Sequence, residues 1–237
     1  MASRRTYGDA CGIARALDVV GERWALMVVR ELLLGPKRFT DLRAGLPHVS
    51  PDVLAQRLRD LEQAGIVDRR RLPPPYASQV YELTSSGRAL EPVLVELGRW
   101  GGANAPPPGD EMCMSLDAHV VTLRTLFDAE RAGDLAARIE LRLGGERFRV
   151  TIADGRIETG RGELPGADAA IDADPRIFIE VLHGHRTLAD ALAANTLQIE
   201  GDKRLVRRFT QLFPLPAPAD SPNPPSVASP QPSRTRD

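Results

Sequence analysis

The residues best suited to chemistry in this sequence are hydrogen-bonding side chains spaced along one predicted helix. Asp52, Gln56 and Arg59 recur at intervals of four and three residues, which places them on one helical face. The opposite face carries Leu54, Leu58 and Leu61. In the major groove of duplex DNA, glutamine can pair with an adenine edge and arginine with a guanine edge. The pattern predicts a DNA-reading helix, and the alternative is an ordinary solvated helix face.

The start of this helix is marked by its own residues. Ser50 has the character of an N-cap, and Pro51 suits the first helical position, where its missing N–H is not needed. A helix N-terminus can also hold a phosphate. The candidate DNA-binding residues of this helix are Ser50, Asp52, Gln56, Arg57 and Arg59.

A second group of cations lies on a predicted β-hairpin. Two strand-like runs, Ile66 to Leu72 and Gln79 to Thr84, flank a loop that holds three consecutive prolines. Arg69, Arg70 and Arg71 occupy the first run and could reach phosphates or the minor groove, with Lys37 and Arg38 supporting them from an earlier turn. The alternative is an ordinary charged hairpin.

The elements before the reading helix form its scaffold. Ile13, Leu17 and Val20 fall at helical spacing, and a second helix from Trp24 to Leu32 stops at Gly35-Pro36. A short third helix, from Phe39 to Arg43, precedes the one that opens at Ser50. This spacing is typical of a helix-turn-helix, and the hairpin that follows makes it a winged helix.

Composition divides the chain. The segment GGANAPPPG, residues 101–109, predicts that a helix ends near Trp100 and that a linker follows. The last 24 residues hold 8 of the 20 prolines, which predicts a disordered tail. We therefore expect a winged-helix DNA-binding and dimerisation domain at residues 7–104, a linker at 105–114, a second domain at 115–213 and the Pro-rich tail at 214–237.

Charge and hydropathy restrict the function classes. Residues 1–104 carry 15 Lys and Arg against 12 Asp and Glu, whereas residues 105–213 carry 14 against 18. The slight basic excess of the first part permits a polyanionic partner without requiring one. No apolar run is long enough to cross a membrane and no secretory signal is evident, so we expect a cytoplasmic protein.

The second domain alternates between strand and helix patterns, so its fold class is α+β. After a helix from Leu116 to Asp134, alternating apolar residues around Gly144-Gly145 and Asp154-Gly155 predict a hairpin with a third strand from Arg156 to Thr159. Helices beginning after Asp174 and at Thr187, a strand over residues 196–200 and a helix over residues 203–213 complete the unit.

The stretch from Ala16 to Arg70, together with YELTSSGRAL from Tyr81 to Leu90, closely resembles the HxlR family of bacterial winged-helix regulators. The resemblance implies a homodimer that binds double-stranded DNA at a palindromic operator, each protomer placing its helix from Ser50 in one half-site. It also implies that the N-terminal helix and the long helix after Gly87 pair between subunits. Leu90, Leu94 and Leu97 fit that role, with packing inside the monomer as the alternative.

Cys11 stands where such regulators often carry a cysteine, and the resemblance makes it a candidate redox sensor. The family's usual following proline is Gly12 here. A reactive thiol needs exposure and neighbours that stabilise the thiolate, and the sequence shows only Arg15 one turn on. We therefore expect a buried structural cysteine.

The ending ALAANTLQIEGDKRLVRRFTQLF, with the elements before it, resembles the sterol-carrier-type lipid-binding fold. The resemblance implies an apolar pocket for a hydrophobic small-molecule effector. Its candidate lining residues, which could equally close an ordinary core, are Phe178, Leu182, Leu192, Leu197, Leu212 and Phe213.

Three function classes remain, and we favour a DNA-binding repressor because it alone gives both domains a role. The others are a lipid or small-molecule carrier whose helical domain only dimerises, and an enzyme in the second domain. No Ser-His-Asp order, glycine-rich phosphate loop or nucleophile elbow supports an enzyme. His183 and His185 lack a third ligand at helical spacing, so we expect no metal and no cofactor.

Overall fold

The computed structural model describes residues 6–73, 78–105 and 114–215 of the chain. The first domain begins with four helices, α1 (Gly12–Val20), α2 (Ala25–Leu32), α3 (Phe39–Gly45) and α4 (Pro51–Gln63). The hairpin of β1 (Val67–Arg71) and β2 (Gln79–Leu83) follows, and then α5 (Ser85–Arg88) and α6 (Glu91–Asn104). This order matches the winged helix that the sequence predicts.

Helix α4 forms where its capping residues predict. The Ser50 hydroxyl accepts a hydrogen bond from the Val53 N–H at 3.4 Å, Pro51 occupies the first turn, and Gly65 follows the helix with φ of +68°. The predicted leucine face is fully inside: Leu54, Leu58 and Leu61 are each at most 1% exposed. They pack with residues of α2 such as Val28 in one core.

The hairpin is extended by the turn before α3. Lys37 and Tyr81 exchange backbone hydrogen bonds of 3.0 and 2.8 Å, so the chain pairs briefly with β2 on its way into α3. The β1–β2 hairpin is the wing of the winged helix, and α3 is the first helix of the helix-turn-helix. The backbone hydrogen bonds of Lys37 therefore join the wing to the start of α3.

Helix α6 continues further than the sequence predicts. It does not end near Trp100 but includes both Gly101 and Gly102 and reaches Asn104, whose side-chain amide donates to the Trp100 carbonyl at 2.8 Å. Each glycine weakens a helix by only about 1 kcal/mol, which an established helix tolerates. The rest of the predicted linker, residues 106–113, and the tail from residue 216 lie outside the described residues.

The second domain is a mixed sheet covered by helices on one face. In the described part of the chain its strand order is β5-β4-β3-β6-β7, with β3 and β6 parallel and the other pairs antiparallel. The strands are β3 (Ala137–Leu143), β4 (Glu146–Ala153), β5 (Arg156–Arg161), β6 (Ala169–Ala173) and β7 (Leu197–Gly201). The helices are α7 (Leu116–Leu126), α8 (Ala129–Ala132), α9 (Pro175–Leu182), α10 (Leu188–Ala193) and α11 (Lys203–Phe209).

Three features of this domain differ from the sequence prediction. The helix expected from Leu116 to Asp134 is divided, because Phe127 is extended and the Asp128 N–H donates to the Leu212 carbonyl at 2.9 Å. The last helix ends at Phe209, four residues before its predicted end. Strand β6 was not predicted, since alanine-rich AAIDA has little intrinsic strand character.

The core of the second domain lies between its helices and the inner face of its sheet. Ile139, Leu141, Phe148, Val150 and Ile171 are fully buried there. The predicted pocket-lining residues join this same core: five are buried, and Leu192 packs against it while partly exposed. No helix among the described residues combines the length and the apolar character needed to span a membrane.

Candidate nucleic-acid interface

The exposed face of α4 carries the predicted reading residues. Asp52, Gln56 and Arg59 are all exposed. Arg59 donates to the Gln56 Oε1 at 2.6 Å, and the Gln56 amide nitrogen donates to Asp60 Oδ1 at 2.8 Å. These contacts hold the Gln56 amide in one orientation on the open face, where it can meet a base edge.

Arg57 does not lie with this group, although the sequence interpretation placed it there. Its side chain is only 13% exposed, and the guanidinium forms ion pairs with Asp60 at 3.0 Å and Glu22 at 3.4 Å. The reason is the helical period: one residue after Gln56 the side chain points about 100° away, toward the scaffold. Arg57 therefore fastens α4 to the turn after α1.

The two cations before α3 have opposite placements. Arg38 is exposed, and its backbone N–H donates to Asp41 Oδ2 at 3.0 Å at the start of α3. Lys37, in contrast, is 8% exposed, and its ammonium lies 2.7 Å from both Glu31 Oε2 and Asp117 Oδ2. The prediction that Lys37 supports DNA binding is therefore not met by the structure, because two carboxylates hold this cation inside.

The three arginines of the wing are all exposed, but they do not share one face. Side chains alternate along a strand, so Arg69 and Arg71 point one way and Arg70 the other. Arg70 forms an ion pair of 2.6 Å with Glu82, whereas Arg69 hydrogen-bonds Gln79 and lies 5.9 Å from the centre of the Tyr81 ring. Arg69 thus has neutral partners in these contacts and keeps its charge available for a phosphate.

The prediction of a buried Cys11 is wrong. The thiol is free and exposed, and the residue occupies the N-cap position of α1 with its backbone N–H donating to Asp9 Oδ1 at 2.8 Å. The start of α1 packs on too little of the described chain to cover it. A sensing role for this thiol stays a prediction.

The two histidines after α9 stack edge-to-face, with ring centroids 6.2 Å apart. Burial lowers the pKa of His183, and the neighbouring His185 and His119 lower it further. Within the described residues, no group of three His, Cys, Asp or Glu side chains is placed to hold a metal ion.

Comparison with known proteins decides the family of the first domain. The family described as HxlR-like helix-turn-helix matches residues 19–108. The HTH-type transcriptional regulator YvaP of Bacillus subtilis is 40% identical over 86 residues, which cover 36% of this chain and 80% of that protein. The regulator YodB of the same organism is 38% identical over 98 residues, covering 41% and 87% respectively. The chain belongs to the HxlR-like helix-turn-helix family.

Two solved structures of regulators are also similar to part of this chain. The reduced form of YodB from B. subtilis is 34% identical, with 43% of this chain and all of that chain covered and a TM-score of 0.38. The redox regulator HypR in its oxidized form is 33% identical, with 41% and 100% covered and a TM-score of 0.38. Both matches span less than half of this chain.

The second domain matches a different family, described as alkyl sulfatase C-terminal, over residues 112–219. The sequence interpretation had named the sterol-carrier-type fold for this part, and that likeness stays a prediction. The α+β class expected for the domain agrees with the observed sheet and helices.

Sequence reasoning missed a group of buried charges between the two domains. Glu31, on α2, is completely buried, and Asp117, on α7, is 1% exposed. They are 86 positions apart in the chain, and Lys37 joins them. Only the spacing of Glu31 within an otherwise apolar helix face could have indicated a buried partner.

Proposed function

We propose that this chain is a dimeric transcriptional regulator that binds a palindromic DNA operator through α4. The observation that carries the proposal is the exposed face of α4, where Gln56 and Arg59 stand opposite a buried leucine stripe. An exposed polar face alone is common, but here it belongs to the second helix of a helix-turn-helix in a chain of the HxlR-like family.

The wing supplies the second contact in this proposal. A helix in the major groove leaves the neighbouring backbone and minor groove within reach of a hairpin. Arg69 carries an available charge at this position, and exposed Arg38 lies at the start of α3. These cations would set the position of the protein on the duplex, and α4 would supply the sequence preference.

Dimerisation is supported by apolar residues left uncovered on two helices. Ile13 is 74% exposed on α1, and Val93, Leu97 and Trp100 are 53%, 48% and 63% exposed along one face of α6. The whole of α6 lies within the described part of the chain, and none of its side chains is buried. Leu90 and Leu94 pack, partly buried, against the core of the first domain, so of the three leucines expected to pair between subunits Leu97 supports that role best.

For the second domain we propose a ligand-binding role and no catalysis. The domain touches α2 and α6 of the first domain directly and faces α3 across a cavity, so binding there can influence the DNA-binding elements. The sterol-carrier likeness would make the effector a hydrophobic molecule, with the alternative of a carrier protein whose helical domain only dimerises.

The test is selection of bound fragments from a random pool of duplex DNA, followed by sequencing. We expect an enriched palindrome. No enrichment at low salt would contradict the proposal and favour the carrier.

Variants of α4 then locate the reading face. Gln56→Ala or Arg59→Ala should weaken operator binding by about 1 to 3 kcal/mol per lost base contact, with the fold intact. Gln198→Ala and Arg176→Ala, which remove the same exposed side-chain types from the second domain, should leave affinity unchanged. Unchanged affinity in both α4 variants would show that the reading face lies elsewhere.

A further inference from the structure

A cavity of about 470 Å³ lies where the helix-turn-helix meets the second domain. One wall is the end of α3 and the turn before it, and the other is the start of α7 with β4 and β5. The residues that matter for its chemistry are Lys37, Asp41, Ala44, Asp117, Glu146 and Arg161. Its volume is in the range of small-molecule sites.

The deep wall of the cavity is a fixed network of buried charges. Lys37 bridges Glu31 and Asp117 at 2.7 Å each, and Glu31 Oε1 accepts a hydrogen bond from the Ser115 hydroxyl at 2.7 Å. Glu31 lies on α2 and Asp117 lies on α7, and both buried carboxylates bind the same Lys37 ammonium. The network therefore holds α2 and α7 together. The wall is therefore set in place before any ligand arrives.

Two cations in this wall have more N–H groups than their contacts with the carboxylates use. Among the described residues the Lys37 ammonium contacts two carboxylates, which leaves one of its three N–H bonds. Arg161 donates from Nε to Asp117 at 3.1 Å and from Nη1 to Glu146 at 2.7 Å, and its Nη2 lies 2.6 Å from Asp117 Oδ1. Two of the five guanidinium N–H bonds remain, so the cavity offers donors to an anionic oxygen.

Arg161 stays charged in this position. Burial works against its charged form, but hydrogen bonding and attraction from Asp117, with the charge of Glu146, raise its pKa overall. Its guanidinium also lies 5.2 Å from the centre of the Phe148 ring, which orients the group.

The cavity is not a simple anion site, because carboxylates outnumber cations in its lining. Asp41, Asp117 and Glu146 face Lys37 and Arg161. Asp117 is used by both cations, whereas Glu146 is 53% exposed and Asp41 is exposed, so these two can accept from a ligand. A ligand that satisfies the whole lining carries an acidic group and a positive hydrogen-bond donor.

We propose that this junction cavity binds a small zwitterion, a molecule of the amino acid type, whose carboxylate meets Lys37 and Arg161 and whose ammonium meets Asp41 and Glu146. The inference rests on the proposed regulatory function. It replaces the hydrophobic effector that the sterol-carrier likeness would imply with a polar one, because the residues expected to line an apolar pocket are packed in the core. Such a ligand would touch α3 and the second domain at once. Because α3 leads directly into α4, occupancy would favour one placement of the reading helix over another.

The test is ligand-induced thermal stabilisation of the full chain, without DNA. The probes are the twenty common amino acids, carboxylates without an amine (acetate, propionate, succinate), amines without a carboxylate (methylamine, putrescine) and the apolar acid decanoate. We expect a saturable rise in Tm with one or a few amino acids and none with the compounds that carry charge of only one sign. A rise with decanoate alone, or with no compound, would overturn the proposal.

Two variants tie the binding to this cavity. Glu146→Gln removes the negative charge that meets the ligand's ammonium and exchanges one acceptor oxygen for an NH2 donor. It should weaken binding of the amino acid by about tenfold. Ala44→Leu fills the cavity from the last turn of α3 and should weaken it at least as much. The matched controls are Glu163→Gln, an exposed acid paired with Arg147, and Ala193→Leu, an exposed alanine in the last turn of α10. Equal loss in variants and controls would contradict the cavity as the site.

The outcome separates this inference from the proposed function. Operator binding by the ligand-free chain, measured with the selected palindrome, tests the regulator. A chain that binds its operator but responds to no amino acid keeps the first proposal and loses this one. A chain that binds an amino acid in the cavity but enriches no DNA loses the first proposal and keeps the cavity as an amino acid site.

Discussion

At the scale of single residues, Lys37 shows how far a side chain's role depends on partners that are distant in sequence. In the sequence it stands beside Arg38 in a basic turn, and both look like phosphate contacts. In the structure only Arg38 is exposed, and Lys37 turns inward to Glu31 and Asp117. No local pattern distinguishes the two, because Asp117 comes from the second domain.

The first prediction compares these neighbours. Lys37→Met should lower the free energy of unfolding by about 3 kcal/mol, because it removes the buried cation that Glu31 and Asp117 share and leaves each carboxylate with a single arginine partner. Arg38→Met should change stability by less than about 0.5 kcal/mol and make the salt dependence of operator binding shallower by about one unit of slope. Urea unfolding and binding across a salt series measure both effects. A loss of stability in Arg38→Met together with a shallower salt dependence in Lys37→Met would show that Lys37 contacts DNA.

At the scale of elements, the sequence predicts best where local signals are strong. Helix α4 has a capping serine, a proline in its first turn, a regular leucine stripe and a terminal glycine, and it forms as expected. The break between α7 and α8 and the strand β6 were not predictable, because both depend on partners elsewhere in the fold. Asp128 bonds to Leu212, and β6 pairs with β3 and β7.

The second prediction concerns the wing, where strand geometry divides three arginines that look equivalent in sequence. Arg69→Ala should reduce the slope of log affinity against log salt by about one unit, because it removes one cation available to a phosphate. Arg70→Ala should reduce it by less, because the Glu82 carboxylate already neutralises that guanidinium. The loss of affinity in both variants should be similar for all DNA sequences. Equal slopes for the two variants and the parent protein would show that the wing does not touch DNA.

At the scale of the whole molecule, the domains meet through direct contacts and not only through the connecting segment. Arg124 of α7 pairs with Glu91 of α6 at 2.5 Å, and the Arg99 Nε donates to the Thr125 carbonyl at 3.0 Å. The sequence predicts the two domains and a proline-rich connection between them. It could not predict these contacts, because the residues that form them lie about 26 to 33 positions apart across the connection.

The last prediction concerns the assembly that the uncovered face of α6 implies. Leu97→Glu places a charge among Val93 and Trp100, so pairing through this face would have to bury it without a partner. We expect the dimer dissociation constant to rise by about tenfold to a hundredfold, measured by analytical ultracentrifugation. The monomer should stay folded, because Leu97 is 48% exposed.

Val53→Glu is the control, since Val53 is a comparably exposed apolar residue, 40% exposed, but lies on the reading helix. It should leave the dimer intact while weakening operator binding. Leu97→Glu should weaken binding to the palindrome and leave binding to an isolated half-site nearly unchanged, because each protomer keeps its own reading helix. A dimer that withstands Leu97→Glu would place the subunit interface on another surface and leave the apolar face of α6 without a partner.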